Sequence, residues 1–180
     1  MELSQLGDRI CIMGPSNSGK STLADAIARR LQMQVVHLDV LYHLPGTDWE
    51  PRPFADFERL HDESIQAPRW VMDGNYSQLL PQRLARATGL ILLDISAPLS
   101  LYRYLRRSWF QPVRIGALDG GRDSVKWIML KHIAVVSPRN RRRYADLLPT
   151  LDLPTVYLPS TRQIAACYKT WKLNMNPARK

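Results

Sequence analysis

Ile10-Cys11-Ile12-Met13-Gly14-Pro15-Ser16-Asn17-Ser18-Gly19-Lys20-Ser21-Thr22 is the stretch on which the fold turns. Four apolar residues lead into Gly14 to Ser21, which satisfies G-x-x-x-x-G-K-[ST], and Leu23, Ala24, Ile27, Ala28 and Leu31 then recur on one helical face. Strand, glycine-bracketed loop and helix in that order bring backbone N–H groups and a helix N-terminus onto one point, where they bind phosphate oxygens. Gly14 and Gly19 allow backbone conformations and a close phosphate approach that a Cβ would obstruct, Lys20 carries positive charge to the β and γ oxygens, and Ser21 offers a hydroxyl to Mg2+. Gly14, Pro15, Ser16, Asn17, Ser18, Gly19, Lys20, Ser21 and Thr22 are therefore the candidate nucleotide-binding residues. ATP with Mg2+ is the expected ligand.

Outward from this stretch, short apolar runs at 35–38, 70–72, 90–93 and 155–158 alternate with segments of helical period, the pattern of a parallel α/β sheet of five strands. Helices are expected after the first strand and at about 54–65, 98–109, 125–136, 140–148 and 161–172. With 180 residues, 45% hydrophobic and 23% charged, the composition excludes a disordered tail, a collagen and a disulfide-built miniature. Neither repeat nor linker divides it, so one domain over 1–180 is expected. No apolar run approaches the ~18 residues of a membrane span, and a cytoplasmic protein is expected. Cys11 and Cys167 have no CxxC spacing and encode neither a disulfide framework nor a zinc site.

The net charge of +9 is local. From 101 to 143 there are 11 basic residues against Asp119 and Asp123, and the rest of the chain balances at 14 of each sign. That segment attracts anions, either the phosphates of a small ligand or those of a polynucleotide.

Ligands of an open α/β sheet gather at the carboxyl ends of its strands, where this chain carries Asp39, Asp73 and Asp94. A carboxylate there can hold Mg2+ through water, accept a proton from an acceptor hydroxyl, or cap the next turn. Asp39 opens a segment rich in aromatic and turn residues and is the candidate to face the acceptor, while Asp73 and Asp94 compete for the metal.

At this point the chain resembles the adenylate-kinase-like P-loop kinases. Met72-Asp73-Gly74 is similar to the Asp-Gly of nucleoside monophosphate kinases, whose Asp acts on the Mg2+ shell, which favours Asp73. Asp94 to Pro98, with Arg103 and Arg107 following, resembles the segment leading to the lid; the resemblance implies that Arg103 stacks on adenine and Arg107 touches the transferring phosphates. Residues 9 to 110 most resemble the adenylate-kinase-related DNA topology modulation proteins, through His37-Leu38-Asp39, Asp48-Trp49 and Trp70 to Tyr76. Leu158 to Thr161 resembles the segment whose backbone lies against adenine, implicating Ser160. The resemblance implies the strand order 2-3-1-4-5 in a three-layer α/β/α fold, an acceptor-binding insertion at about 39–67 and a basic lid at about 107–145.

The chain departs from nucleoside monophosphate kinases after Asp-Gly. Their Pro-Arg, whose Arg grips the acceptor's phosphate, is replaced by Asn75-Tyr76-Ser77. Arg83 can substitute from the next helix, while Asn75, Tyr76 and Trp49 equally suit a neutral, hydroxyl-bearing or aromatic acceptor. In the basic segment Arg103 and Arg107 share a helical face, and Arg139 and Arg143 are candidate lid arginines. The expected activity is transfer of the γ-phosphoryl group of Mg-ATP to a small acceptor, with Lys20, Asp39, Asp73, Arg107, Arg139 and Arg143 as catalytic candidates. The alternative is a nucleic-acid-binding ATPase using 101–143.

Overall fold

The computed structural model describes residues 1–110, 143–144 and 146–174, with only the backbone of 107–110. The strands are β1 (Arg9–Met13), β2 (Gln34–His37), β3 (Trp70–Asp73), β4 (Gly89–Leu93) and β5 (Thr155–Leu158). They form one parallel sheet in the expected order, β2-β3-β1-β4-β5. The helices are α1 (Lys20–Leu31), α2 (Leu38–Tyr42), α3 (Phe54–Gln66), α4 (Leu80–Arg86), α5 (Ala97–Phe110) and α6 (Thr161–Thr170).

Alternation along the strands sorts the core into two layers. Ile10, Ile12, Val71, Ile91 and Leu93 pack with Leu23, Ala24 and Ile27 of α1 and Cys167 and Tyr168 of α6. Cys11, Met13, Trp70, Met72, Leu90 and Leu92 face the other way, onto Phe57 and Ile65 of α3, Leu80 of α4 and Tyr144. Each such aliphatic side chain contributes roughly 1.5–3 kcal/mol on leaving water. Central strands apolar on both faces are what a sheet covered on both sides requires.

Two expectations are corrected at the acceptor end. The second strand stops at His37 rather than Leu38, and Leu38 and Asp39 begin α2. The reason is register: His37 lies opposite Asp73, the last residue of β3, so Leu38 has no residue of β3 left to pair with. It packs instead against Gly74, where a Cβ would come within 2.8 Å of the Leu38 side chain. The expected helix at 125–136, much of that at 140–148 and most of the lid at 107–145 lie outside the described residues.

Candidate active site

The loop between β1 and α1 needs its glycines for different reasons. Gly14 has φ 144°, and a Cβ there would meet the Leu93 carbonyl oxygen at 2.3 Å, so a side chain is excluded by both conformation and space. Gly19, the N-cap of α1, has φ 95°, yet a Cβ would meet nothing within 4 Å. That open cradle stands before the N-terminus of a 12-residue helix, whose first backbone N–H groups have no partner within the helix itself. Lys20 folds back to donate from Nζ to the Pro15 carbonyl at 2.9 Å. Helix α5 braces the loop from outside: the Ser100 hydroxyl donates to the Ser16 carbonyl and Arg103 Nη1 to the Ser18 carbonyl at 3.3 Å. Burial, and then the charge of Arg106, holds the Arg103 guanidinium below its ordinary pKa. Arg103 thus reaches the loop itself, at the Ser18 carbonyl.

Asp73, 4% exposed, joins this loop to the neighbouring strand. Its Oδ2 accepts from the Ser21 hydroxyl at 2.8 Å, and its Oδ1 is hydrogen-bonded to His37 Nδ1. Burial alone would lower the His37 pKa, but the bond to Asp73 and the charges of Asp73, Asp25 and Asp39 outweigh it and leave the ring above its ordinary value. Asp94, the other acid considered for the metal, accepts from the Tyr157 hydroxyl at 2.6 Å. Of the two, Asp73 is the one bonded to Ser21.

Asp39 occupies the first turn of α2 and is exposed. The Tyr76 hydroxyl donates to its Oδ1 at 2.7 Å, and the Tyr76 ring lies 5.0 Å from both Tyr42 and Phe57 between centroids. Burial, with the adjacent Asp39 charge, pushes the Tyr76 pKa far upward, so the phenol stays a donor. His43 donates from Nδ1 to the Asp39 carbonyl at 2.8 Å and meets the Trp49 ring edge-on at 5.1 Å. The loop between is closed by backbone bonds from Leu44 to Glu50 and from Arg52 to Tyr42. Asp39, Tyr76 and Trp49 are therefore gathered at one end of the sheet, with Tyr42 and His43 as additional members. Neither of the two carried a motif that would have singled it out.

Two acceptor candidates are placed differently. Arg83 is 1% exposed and points inward, donating from Nη2 to the Asn75 carbonyl at 2.6 Å, with the Gly74 carbonyl at 3.4 Å. It has no surface to offer an acceptor, and that expectation is corrected: a charge near a motif suggests ligand contact, but this one is buried and turned onto the backbone that follows β3. Asn75 turns its amide onto Gly14. Ser160 follows β5 as the N-cap of α6, its hydroxyl accepting from the Gln163 N–H at 3.2 Å. Arg143 is exposed, whereas Arg139 and the Arg107 side chain lie outside the described residues.

No protein-family model matches the chain, and no curated protein sequence does. Solved structures do. A gluconokinase from Sinorhizobium meliloti 1021 is similar at 16% identity over 93% of this chain and 91% of that one, with a TM-score of 0.56. The fold is that of a P-loop kinase. A shikimate kinase from Bacteroides thetaiotaomicron is similar at 16% identity, covering 90% of this chain and 94% of that one, with a TM-score of 0.53. Another from Acinetobacter baumannii, solved in complex with shikimate, is similar at 14% identity, 92% of each chain and a TM-score of 0.51. These structures support the broad P-loop kinase resemblance; the narrower one to DNA topology modulation proteins, and the nucleic-acid alternative, draw no support from them.

The chemistry of the donors in this P-loop kinase fold suits magnesium. Ser21 Oγ and Asp73 Oδ2, hydrogen-bonded at 2.8 Å beside the loop after β1, are two hard oxygens of the kind that could hold it. Among the described residues no group of three or more His, Cys, Asp or Glu could form a metal cage. Magnesium bound alongside phosphates needs none, because it takes one or two protein oxygens and fills its shell with phosphate oxygens and water. No helix among the described residues is long and apolar enough to cross a membrane.

Proposed function

We propose that the chain is an ATP- and magnesium-dependent kinase that phosphorylates a hydroxyl of a small, uncharged acceptor seated beside Asp39. The observation that carries this is the pairing of two carboxylates with different environments: Asp73 is buried and bonded to Ser21 at the phosphate cradle, while Asp39, close to His37 in sequence, is exposed.

In the reaction the acceptor oxygen attacks the γ-phosphorus, the bond from that phosphorus to the β–γ bridging oxygen breaks, and ADP leaves. Asp39 accepts the hydroxyl proton, with Tyr76 fixing one of its oxygens so that the other faces the acceptor. The loop amides and Lys20 neutralise charge on the β and γ oxygens, and Arg103 lies against the same loop. Magnesium, held by Ser21 and Asp73, would supply further neutralisation of those oxygens. Arg107 is assigned to the transferring phosphates on the family resemblance, and Arg139 and Arg143 on their charge and place in the basic segment.

An uncharged acceptor follows from where the basic side chains go. Between Asp39 and Leu84 the basic residues are Arg52, Arg59, Arg69 and Arg83. Arg52 donates to the Leu41 and His43 carbonyls, Arg59 to Glu63, Arg69 to Asp8 and the Leu31 carbonyl, and Arg83 to its buried backbone partners. The insertion 39–67 itself carries seven acidic residues against two arginines. A phosphorylated or carboxylated acceptor would meet acids and aromatic rings there. A sugar or polyol face suits the rings and offers Asp39 a hydroxyl.

The test is a panel of sugars, nucleosides, nucleotides and other hydroxylated metabolites incubated with Mg-ATP and scored by mass for a gained phosphoryl group. An uncharged member is expected to gain it. Lys20→Ala should abolish transfer with the circular dichroism unchanged, and Asp39→Asn should slow transfer by roughly 100-fold or more while leaving ATP affinity intact. Transfer confined to anionic acceptors, or Asp39→Asn kinetics equal to wild type, would overturn the assignment.

A further inference from the structure

Asn75 turns both ends of its side-chain amide onto the first residue of the phosphate loop. Its Oδ1 accepts from the Gly14 N–H at 3.1 Å and its Nδ2 donates to the Gly14 carbonyl at 2.9 Å, across 61 residues of chain. The orientation of the amide follows from the partners, since a backbone N–H can only donate and a carbonyl only accept. Asn75 in turn is held from behind by the buried Arg83, through its own carbonyl and that of Gly74. Gly14 has no side chain of its own to anchor it, and the Leu93 carbonyl closes the space where one would be.

We propose that Asn75 is a positioning residue that sets the start of the phosphate loop, and that Arg83 acts on the loop through it. The two-point grip fixes both the N–H and the C=O of the residue at which β1 turns into the cradle, so that the amides following it point at the phosphates before nucleotide arrives. Pre-set donors bind more tightly because less ordering is required on association. This proposal deepens the kinase reading, resting on the same cradle, but needs only nucleotide binding for its test.

The experiment is calorimetric titration of the whole protein with Mg-ATP and, separately, with AMP, in wild type, Asn75→Leu, Asn75→Gln, Arg83→Lys and the double variant Asn75→Leu/Arg83→Lys. Leucine keeps the size of Asn75 and adds no charge to the cradle. Two lost hydrogen bonds correspond to about a ten-fold weaker Mg-ATP affinity in Asn75→Leu. AMP, which lacks the β and γ phosphates, should bind within about two-fold of wild type, and Asn75→Gln should recover part of the loss. If Arg83 acts through Asn75, the double variant should bind Mg-ATP no more weakly than Asn75→Leu alone. Unchanged Mg-ATP affinity in a folded Asn75→Leu, or an equal loss for ATP and AMP, would overturn the clamp. The kinase reading stands or falls separately, on the transfer assay.

Discussion

His61 shows how a single titratable side chain in a packed layer sets a pH limit. Its ring is fully buried; Nδ1 bonds to Asp62 at 3.0 Å, and Nε2 has no hydrogen-bond partner among the described residues. Burial, reinforced by the Arg83 charge and opposed by Asp62, holds its pKa below the ordinary value. The unfolded chain therefore takes up a proton near pH 6.5 that the folded chain refuses, and stability should fall as pH drops from about 6.5 toward the folded pKa. His37 has the opposite sign, since its raised pKa adds stability as pH falls through that value. Urea midpoints measured from pH 7.5 to 5.5 should fall less steeply in His61→Gln than in wild type. Equal slopes in both proteins would contradict the assignment. The roles of individual residues were the least readable feature of the sequence. Arg83 and Asn75 both lie near the Asp-Gly of β3 and look like ligand contacts, but their true partners, backbone carbonyls for one and Gly14 at the end of the neighbouring strand for the other, depend on tertiary placement.

Elements were more legible, because each draws on a local signal. Helices α1, α3, α5 and α6 and all five strands follow from periodicity, and the start of α6 is marked by Ser160, whose hydroxyl caps it. Ser160→Ala should lower stability by about 1 kcal/mol in chemical denaturation. If the backbone rather than the hydroxyl of Ser160 faces adenine, Mg-ATP affinity in that variant should match wild type; a marked loss would assign the hydroxyl to the nucleotide. Helix α2 escaped the sequence reading for a physical reason. Leu38 continues the apolar run of β2, and only the register with β3 ends the strand one residue earlier. That single residue decides how Asp39 is presented, from a helical turn instead of a strand end.

Across the whole molecule, the parallel α/β class was readable from the alternation of apolar runs and helical segments, whereas the strand order 2-3-1-4-5, which the sheet has, was implied by the resemblance to adenylate-kinase-like kinases. The positive charge was readable in amount and position along the chain, but its target was not. The kinase reading directs it to a triphosphate, so adding single-stranded DNA or RNA at low salt should leave ATP turnover unchanged. Stimulation by either polymer would favour the ATPase alternative. The sheet order carries one more consequence. β1, which delivers the phosphate loop, is the middle strand, whereas β2, which delivers the segment around Asp39, is at the border. Rebuilding the middle would disturb partners on both sides, but doubling the length of a peripheral excursion costs only about 0.6 kcal/mol in closure entropy. Under the kinase reading the scaffold is thus suited to grafting: a foreign segment spliced in after β2 is expected to change which acceptor is phosphorylated while the loop after β1 stays as it is.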